Sequence, residues 1–274
     1  MGNPWLELEL SAEEEAAPYL ETALTDAAFE GWVVEQESPR LQWVLYLPQE
    51  GDWPGRLDQL HRIAADHQAV VAQRGEVRDE DWAENWKAFY HPKRVGERLV
   101  ICPSWEKFEA RPEDVVVILD PGSAFGTGYH ETTRLCLLAL QEDELGTVLD
   151  CGTGSGILAI AAARLGADSV QAFDRDPVAV KVARENVEIN RVSVAVREAA
   201  EPPEGVFDTV VANITAAALI GLRDRLLAAT GRRLILSGII EERAEEVVEA
   251  FSGHGLELVQ RHHEGEWVAL VWAR

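Results

Sequence analysis

The chain has 274 residues, 47% of them hydrophobic, enough for one large core or two smaller ones. Acidic side chains outnumber basic ones 48 to 25, and the formal net charge of −23 disfavours nucleic acid phosphates and anionic membranes while favouring a basic partner. Three dispersed cysteines with no CxxC pair argue against a disulfide framework or a zinc site, and no apolar run approaches the ~18 to 20 residues that span a bilayer.

The first residues, MGNPWLELEL, lack the charged and apolar parts of an export signal, so a cytoplasmic location is expected. Residues 5–10, WLELEL, alternate apolar and acidic as a half-buried strand does. A helix is predicted to follow, with Ser11 as N-cap and Glu14 at the capping-box position, its course left open by Pro18. GWVVEQE and LQWVLYL read as two strands joined at Ser38-Pro39-Arg40, and 55–73 reads as a second helix. This order makes a small α+β domain over 1–75. Residues 1–90 hold 19 acids and 6 bases, so the acidity is densest there. Residues 76–96 read as a linker, in which Trp82, Trp86 and Phe89 form one stripe of a short helix ended by Pro92. The stripe either packs between two domains or offers a platform to a substrate.

Residues 97–274 read as the larger domain. RLVICPSW and VVVILD are strands. From 147 the pattern alternates: strand TVLD, a helix closed by Gly166, strand SVQAFD, and a helix capped by Asp176 with Pro177 in its first turn, ending near Asn190. SVAVRE, FDTVVANI and RRLILSGI are further strands, separated by helices near 216–229 and 241–252. LELVQRHHEG and EWVALVWAR close the chain as a hairpin turning at Glu264-Gly265. Adjacent His262 and His263 would point to opposite faces of their strand, against a shared metal. The fold class is α/β: a doubly wound, mostly parallel sheet with an antiparallel terminal hairpin, preceded by the small α+β domain.

Two glycine-rich blocks stand in tandem, LDPGSAFGTGYHETT at 119–133 and LDCGTGSG at 149–156. The second is the first turn of the alternating region, where an open parallel sheet binds its ligand. Gly152 and Gly154 let backbone amides approach that ligand, and Gly156 lets the helix start close to the strand. Asp174 ends the next strand, where an acid can accept from both hydroxyls of a ribose. The spacing G-x-G-x-G, rather than G-x-G-x-x-G, favours S-adenosylmethionine over a dinucleotide. The first block would then fold over the same strand ends, with Gly126 and Gly128 lying close to the cofactor and Thr132 or Thr133 donating to its carboxylate. Asn213, at the end of VVANITA, either caps the helix near 216 or accepts a hydrogen bond from an amine, as the Ile214 carbonyl also can. His130 is either a general base or a brace for its loop.

With these segments, DEDWAENWKAFY, LVICPSW, DPGSAFGTGYHETT, DCGTGSGILAIAAARLGA, DRDPVAV and VVANITA, the chain resembles the ribosomal protein L11 methyltransferase family. The resemblance covers most of 79–240, and AFGTG-x-H-x-TT is its most specific element. It implies a Rossmann-like catalytic domain, adenosylmethionine as methyl donor without a metal, and contacts to that cofactor from Thr133, Gly152, Asp174 and Asn213; Phe125, Gly126 and Gly154 are further candidates for the same site. It also implies an N-terminal domain that grips the basic protein L11, methylated at its N-terminal amine and at lysines. Rival readings are methylation of a small molecule or a nucleic acid base amine, adenosylmethionine binding without catalysis, and a nicotinamide dehydrogenase.

Overall fold

The computed structural model describes residues 5–13, 16–27, 29, 33–37, 40–49, 52–77, 91–120 and 130–274. The chain divides into two compact units, Met1–Tyr90 and His91–Arg274. Trp82, Trp86, Phe89, Phe125, Gly126, Gly128, Glu14 and the Ser38-Pro39 turn lie outside the described residues.

The first unit runs β1 (Trp5–Glu13), α1 (Ala17–Asp26), β2 (Val33–Glu37), β3 (Arg40–Pro48), α2 (Trp53–Asp66) and β4 (Val70–Val77). Its sheet has the order β2-β3-β1-β4, every pair antiparallel. The alternation in β1 sends Leu6, Leu8 and Leu10 into a core with Leu20, Leu24 and Trp43. Two expectations fail here. Ser11 does not cap a helix: it pairs with Gln42 on one side and Val70 on the other, so ladder bonds from both neighbours carry β1 on to Glu13. Pro18 instead sits in the first turn of α1, where a missing N–H costs nothing. The second helix does not reach residue 73. It ends at Asp66, Gln68 takes φ 56, and β4 follows, completing a β-α-β-β-α-β unit.

The second unit opens with a small sheet of β5 (Lys93–Val95), β6 (Leu99–Cys102) and β7 (Val115–Ile118), in that spatial order. Lys93–Val95 were grouped with the linker by sequence but pair antiparallel with Leu99–Ile101, whereas β6 and β7 are parallel. Helix α3 (Glu131–Leu140) leads into β8 (Thr147–Cys151), α4 (Ile157–Arg164), β9 (Ser169–Asp174), α5 (Pro177–Asn190), β10 (Val194–Glu198), β11 (Phe207–Asn213), α6 (Ala216–Ala229), β12 (Thr230–Ile240), α7 (Glu241–Phe251), β13 (Glu257–Glu264) and β14 (Trp267–Ala273).

The large sheet has the order β10-β9-β8-β11-β12-β14-β13. Strands β8 to β12 are mutually parallel, while β14 inserts antiparallel between β12 and β13. The turn of the terminal hairpin falls at Gly265-Glu266, one residue beyond its predicted place. Strand alternation then sorts the core into two layers. Val148, Val211, Ile235 and Val271 face α3, α4 and α5, whereas Leu149, Val210, Leu234 and Trp272 face α6 and α7. Central strands buried on both faces read as continuous apolar runs, which is why TVLD and TVVAN were legible as strands. The chain moves outward from β8 to β10 and returns to place β11 against β8's other edge. The crevice beyond that reversal is where sheets of this kind bind ligands.

Among the described residues no helix is long and apolar enough to cross a membrane.

Candidate functional site

The glycine turn at the end of β8 is built by backbone geometry that side chains resist. Gly152, Gly154 and Gly156 take φ of 69, 54 and 85. A Cβ on Gly152 would lie 2.5 Å from the Cγ2 methyl of Ile214, and one on Gly156 would lie 3.2 Å from the Cβ of Ala183 on α5. The Gly152 and Thr153 amides both donate to the Phe173 carbonyl, which draws the turn against the end of β9. Asp174, the last residue of β9, accepts from the Gly154 amide at 3.0 Å through Oδ2 and from the Asp176 amide at 3.0 Å through Oδ1. A carboxylate has about four lone-pair sites, so each oxygen keeps capacity for another donor.

Asp150, which the sequence reading passed over, lies beneath the same turn. It points to the α4 side of the sheet, fully buried, where Oδ2 accepts from the Thr153 hydroxyl at 2.6 Å and the Ala159 amide at 3.1 Å. Its Oδ1 has no partner among the described residues. Burial pushes the carboxyl up to about 7. The available signal was an acid inside the apolar run TVLDC, at a strand end.

Asn213 ends β11 on the same face as Val211, and this alternation turns it toward α3. Its Nδ2 donates to the Thr133 hydroxyl at 3.3 Å. Its Oδ1 is buried and has no partner among the described residues. The capping alternative for Asn213 is settled by its neighbour: Thr215 caps α6, its hydroxyl accepting from the Ala218 amide at 3.4 Å. Ile214 is held by its own amide, which donates to the Ser237 carbonyl. Its carbonyl packs against Gly238, where a Cβ would lie 2.4 Å from the oxygen. Gly238 takes φ 81 within the register shift of β12, and the Ser237 hydroxyl reaches the Thr132 carbonyl at 3.2 Å. A bulge in β12 therefore supports both the Asn213-Ile214 end and the start of α3. Ser237 and Gly238 were also missed, since SG inside a strand reads only as a local irregularity.

His130 caps α3. Its Nδ1 accepts from the Thr132 amide at 3.3 Å and lies 2.8 Å from the Thr132 hydroxyl, while its ring meets Trp267 edge-on at 5.0 Å. Of the two alternatives for this residue, the geometry is that of a brace.

The structure thus brings Thr133 to Asn213, Asp174 to Gly154 and Ile214 to Gly152, at the ends of β8, β9 and β11. A positive-φ turn with tethered amides, an acid at the next strand end and an orphaned buried acceptor suit a ligand carrying ribose hydroxyls and an ammonium group, as adenosylmethionine does. His262 and His263 diverge as expected, toward Glu142 at 3.5 Å and Glu241 at 2.9 Å respectively.

Comparison with known proteins agrees with this geometry. Residues 4–274 match the family model described as ribosomal protein L11 methyltransferase. The chain is 40% identical to the ribosomal protein L11 methyltransferase of Chloroflexus aurantiacus over 98% of each chain. It is 47% identical to the protein of the same name from Geobacter sulfurreducens, over 83% of this chain and 80% of that one. The crystal structure of ribosomal protein L11 methylase from Lactobacillus delbrueckii subsp. bulgaricus matches with a TM-score of 0.63 at 34% identity, covering 68% of this chain and 99% of that one.

Proposed function

The chain belongs to the ribosomal protein L11 methyltransferase family, and on that premise we propose that it methylates the N-terminal α-amine and lysine ε-amines of ribosomal protein L11 in the cytoplasm. Adenosylmethionine supplies an electrophilic methyl group when bound. The residues proposed to hold it are Gly152 and Gly154 of the turn, Asp174 for the ribose, and Thr133 and Asn213 for the amino acid portion, with Phe125 and Gly126 of the first glycine-rich block as further candidates.

The protein's own share of the chemistry is to present a neutral amine in line with that methyl group. An α-amine with pKa ~7.7 to 8 is partly neutral at cellular pH, whereas a lysine at ~10.4 is almost wholly charged. The Asn213 Oδ1 and the Ile214 carbonyl are proposed to accept N–H bonds from the amine and so aim its lone pair. The observation that carries this reading is the orphaned Oδ1 of Asn213, a buried acceptor at the switch point of the sheet. His130 is assigned to holding the start of α3 rather than to removing a proton, because its Nδ1 is already engaged with Thr132. The first unit is proposed to grip the substrate protein, its acidity complementing a basic surface.

The test is direct. Purified protein is incubated with methyl-labelled adenosylmethionine and L11, with other ribosomal proteins as controls, and modified residues are mapped by mass spectrometry. Label confined to L11 amines is expected. Label on the controls but not on L11 would reject the substrate assignment, and no transfer to any protein would reject the activity.

A further inference from the structure

Asparagine is a poor residue for a helix interior, because its side chain competes for backbone hydrogen bonds. Helix α5 nevertheless carries two, Asn186 and Asn190, one turn apart on one face and only 5% and 1% exposed. Both side chains bond backbone groups, and each reaches at least one outside α5. Asn190 accepts from the Ile118 amide at 2.8 Å through Oδ1, and its Nδ2 donates to the Ile118 carbonyl at 2.6 Å and to the Asn186 carbonyl at 2.9 Å. Ile118 ends β7, an edge strand of the small sheet, so this carboxamide does for it what a neighbouring strand would do. Asn186 donates from Nδ2 to the Ser155 carbonyl at 2.8 Å, inside the glycine turn.

The same stripe of α5 begins with Ala183, whose Cα would lie 3.3 Å from a Cβ on Gly156. Ala183, Asn186 and Asn190 therefore run down one helix face from the glycine turn to the strand that leads into the other glycine-rich block. Apolar residues at these positions could pack as Val180 and Val187 do. They would remove the Asn186 bond to the Ser155 carbonyl and the Asn190 bonds to both polar groups of Ile118. The two asparagines supply a fixed spacing that packing alone would not specify.

We propose that Asn186 and Asn190 are positioning residues for adenosylmethionine: they tie the glycine turn at Ser155 to Ile118 and hold the turn in its ligand-binding form. This rests on the reading of that turn as the cofactor site. Neither residue touches the ligand in this scheme. Their effect passes through the backbone of the turn.

Calorimetric titration with adenosylmethionine separates positioning from mere stability. Asn186→Ala, which loses one buried hydrogen bond, and Asn190→Ala, which loses three, should each raise the dissociation constant about tenfold or more. Thr209→Val is the control. It removes a buried bond of 2.8 Å to the Leu145 carbonyl at the opposite end of the sheet, and should lower the melting temperature while leaving cofactor affinity as in the parent. Parental affinity in both asparagine variants overturns the proposal, and so does an equal loss in Thr209→Val. Should the asparagine variants not fold, hydrogen exchange in the unmutated protein decides the matter. Coupling is reciprocal, so saturating adenosylmethionine must slow the Ile118 amide more than the Thr147 amide, which bonds Asp208 at the far end of the sheet. Equal slowing overturns the proposal. If the unmutated protein binds no adenosylmethionine, the cofactor reading itself falls; if it binds and the variants match it, only the positioning role does.

Discussion

Replacing Asn213 by Ala should separate activity from stability. In the free protein the Oδ1 of Asn213 is buried without a partner among the described residues, and its Nδ2 makes one long bond of 3.3 Å to Thr133. An unsatisfied buried acceptor costs roughly 1–3 kcal/mol, whereas a neutral side-chain bond returns about 0.5–1.5 kcal/mol. At mid-range, about 2 against about 1 kcal/mol, truncation removes a larger penalty than the bond it breaks, and the melting temperature should stay level or rise. Function should move the other way. A donor that reaches Oδ1 regains the same 1–3 kcal/mol, so its loss should weaken that state by roughly 5- to 150-fold. If the donor is the cofactor's ammonium, the loss appears in adenosylmethionine affinity. If it is the substrate amine, the loss appears in single-turnover methyl transfer at saturating adenosylmethionine. Asn213→Asp sharpens the distinction: a carboxylate beside a lysine favours its charged, unreactive form, so transfer should be slow near neutrality and recover in part at higher pH. The reasoning is refuted if Asn213→Ala melts well below the parent, or if both variants bind cofactor and transfer methyl groups as the parent does.

Asp174→Ala should weaken adenosylmethionine binding by about 1.5–3 kcal/mol, the worth of a hydrogen bond to a charged acceptor, and unchanged affinity in calorimetry would remove Asp174 from the site. Gly152→Ala places a Cβ 2.5 Å from Ile214 at a backbone φ of 69, so urea unfolding should show a loss of roughly 1–2 kcal/mol from the left-handed backbone alone, together with reduced methyl transfer. Asp150, with its carboxyl raised by burial to about 7, stays protonated in the folded chain where the unfolded chain has already ionised. Its favourable contribution is full below the ordinary carboxylate range and is lost as pH rises toward about 7, a change on the order of 4 kcal/mol. Asp150→Asn keeps an acceptor for Thr153 and Ala159 and should flatten urea-unfolding stability between pH 4 and 7; a slope equal to the parent's would contradict this. A chain restricted to residues 91–274 should still bind adenosylmethionine but methylate intact L11 poorly, and a full rate would assign the first unit some other task.

Much of this protein was legible in its sequence because the relevant signals are local. Apolar runs at 147–150 and 209–212 mark strands buried on both faces, Asp176-Pro177 marks a helix start, and the glycine block at 149–156 marks backbone that comes close to its neighbours. Each of these depends on neighbours a few residues away. The failures were local as well, but ambiguous. Helix α2 ends without the glycine or proline that usually announces an end, because Gln68 itself adopts the left-handed conformation, so β4 was read as more helix. Ser11 has the preferences of a cap, yet two strands compete for its backbone and win. What only the tertiary structure decided is which distant residues meet. Asn213 finds Thr133 across 80 positions, and Asn190 finds Ile118 across 72. Those meetings follow from strand order, register and the face on which each side chain emerges. A shift of one residue in β11 would turn Asn213 toward α6 and away from Thr133. Local propensity carries no record of register, which is set jointly by all the strands of the sheet and the helices packed on it.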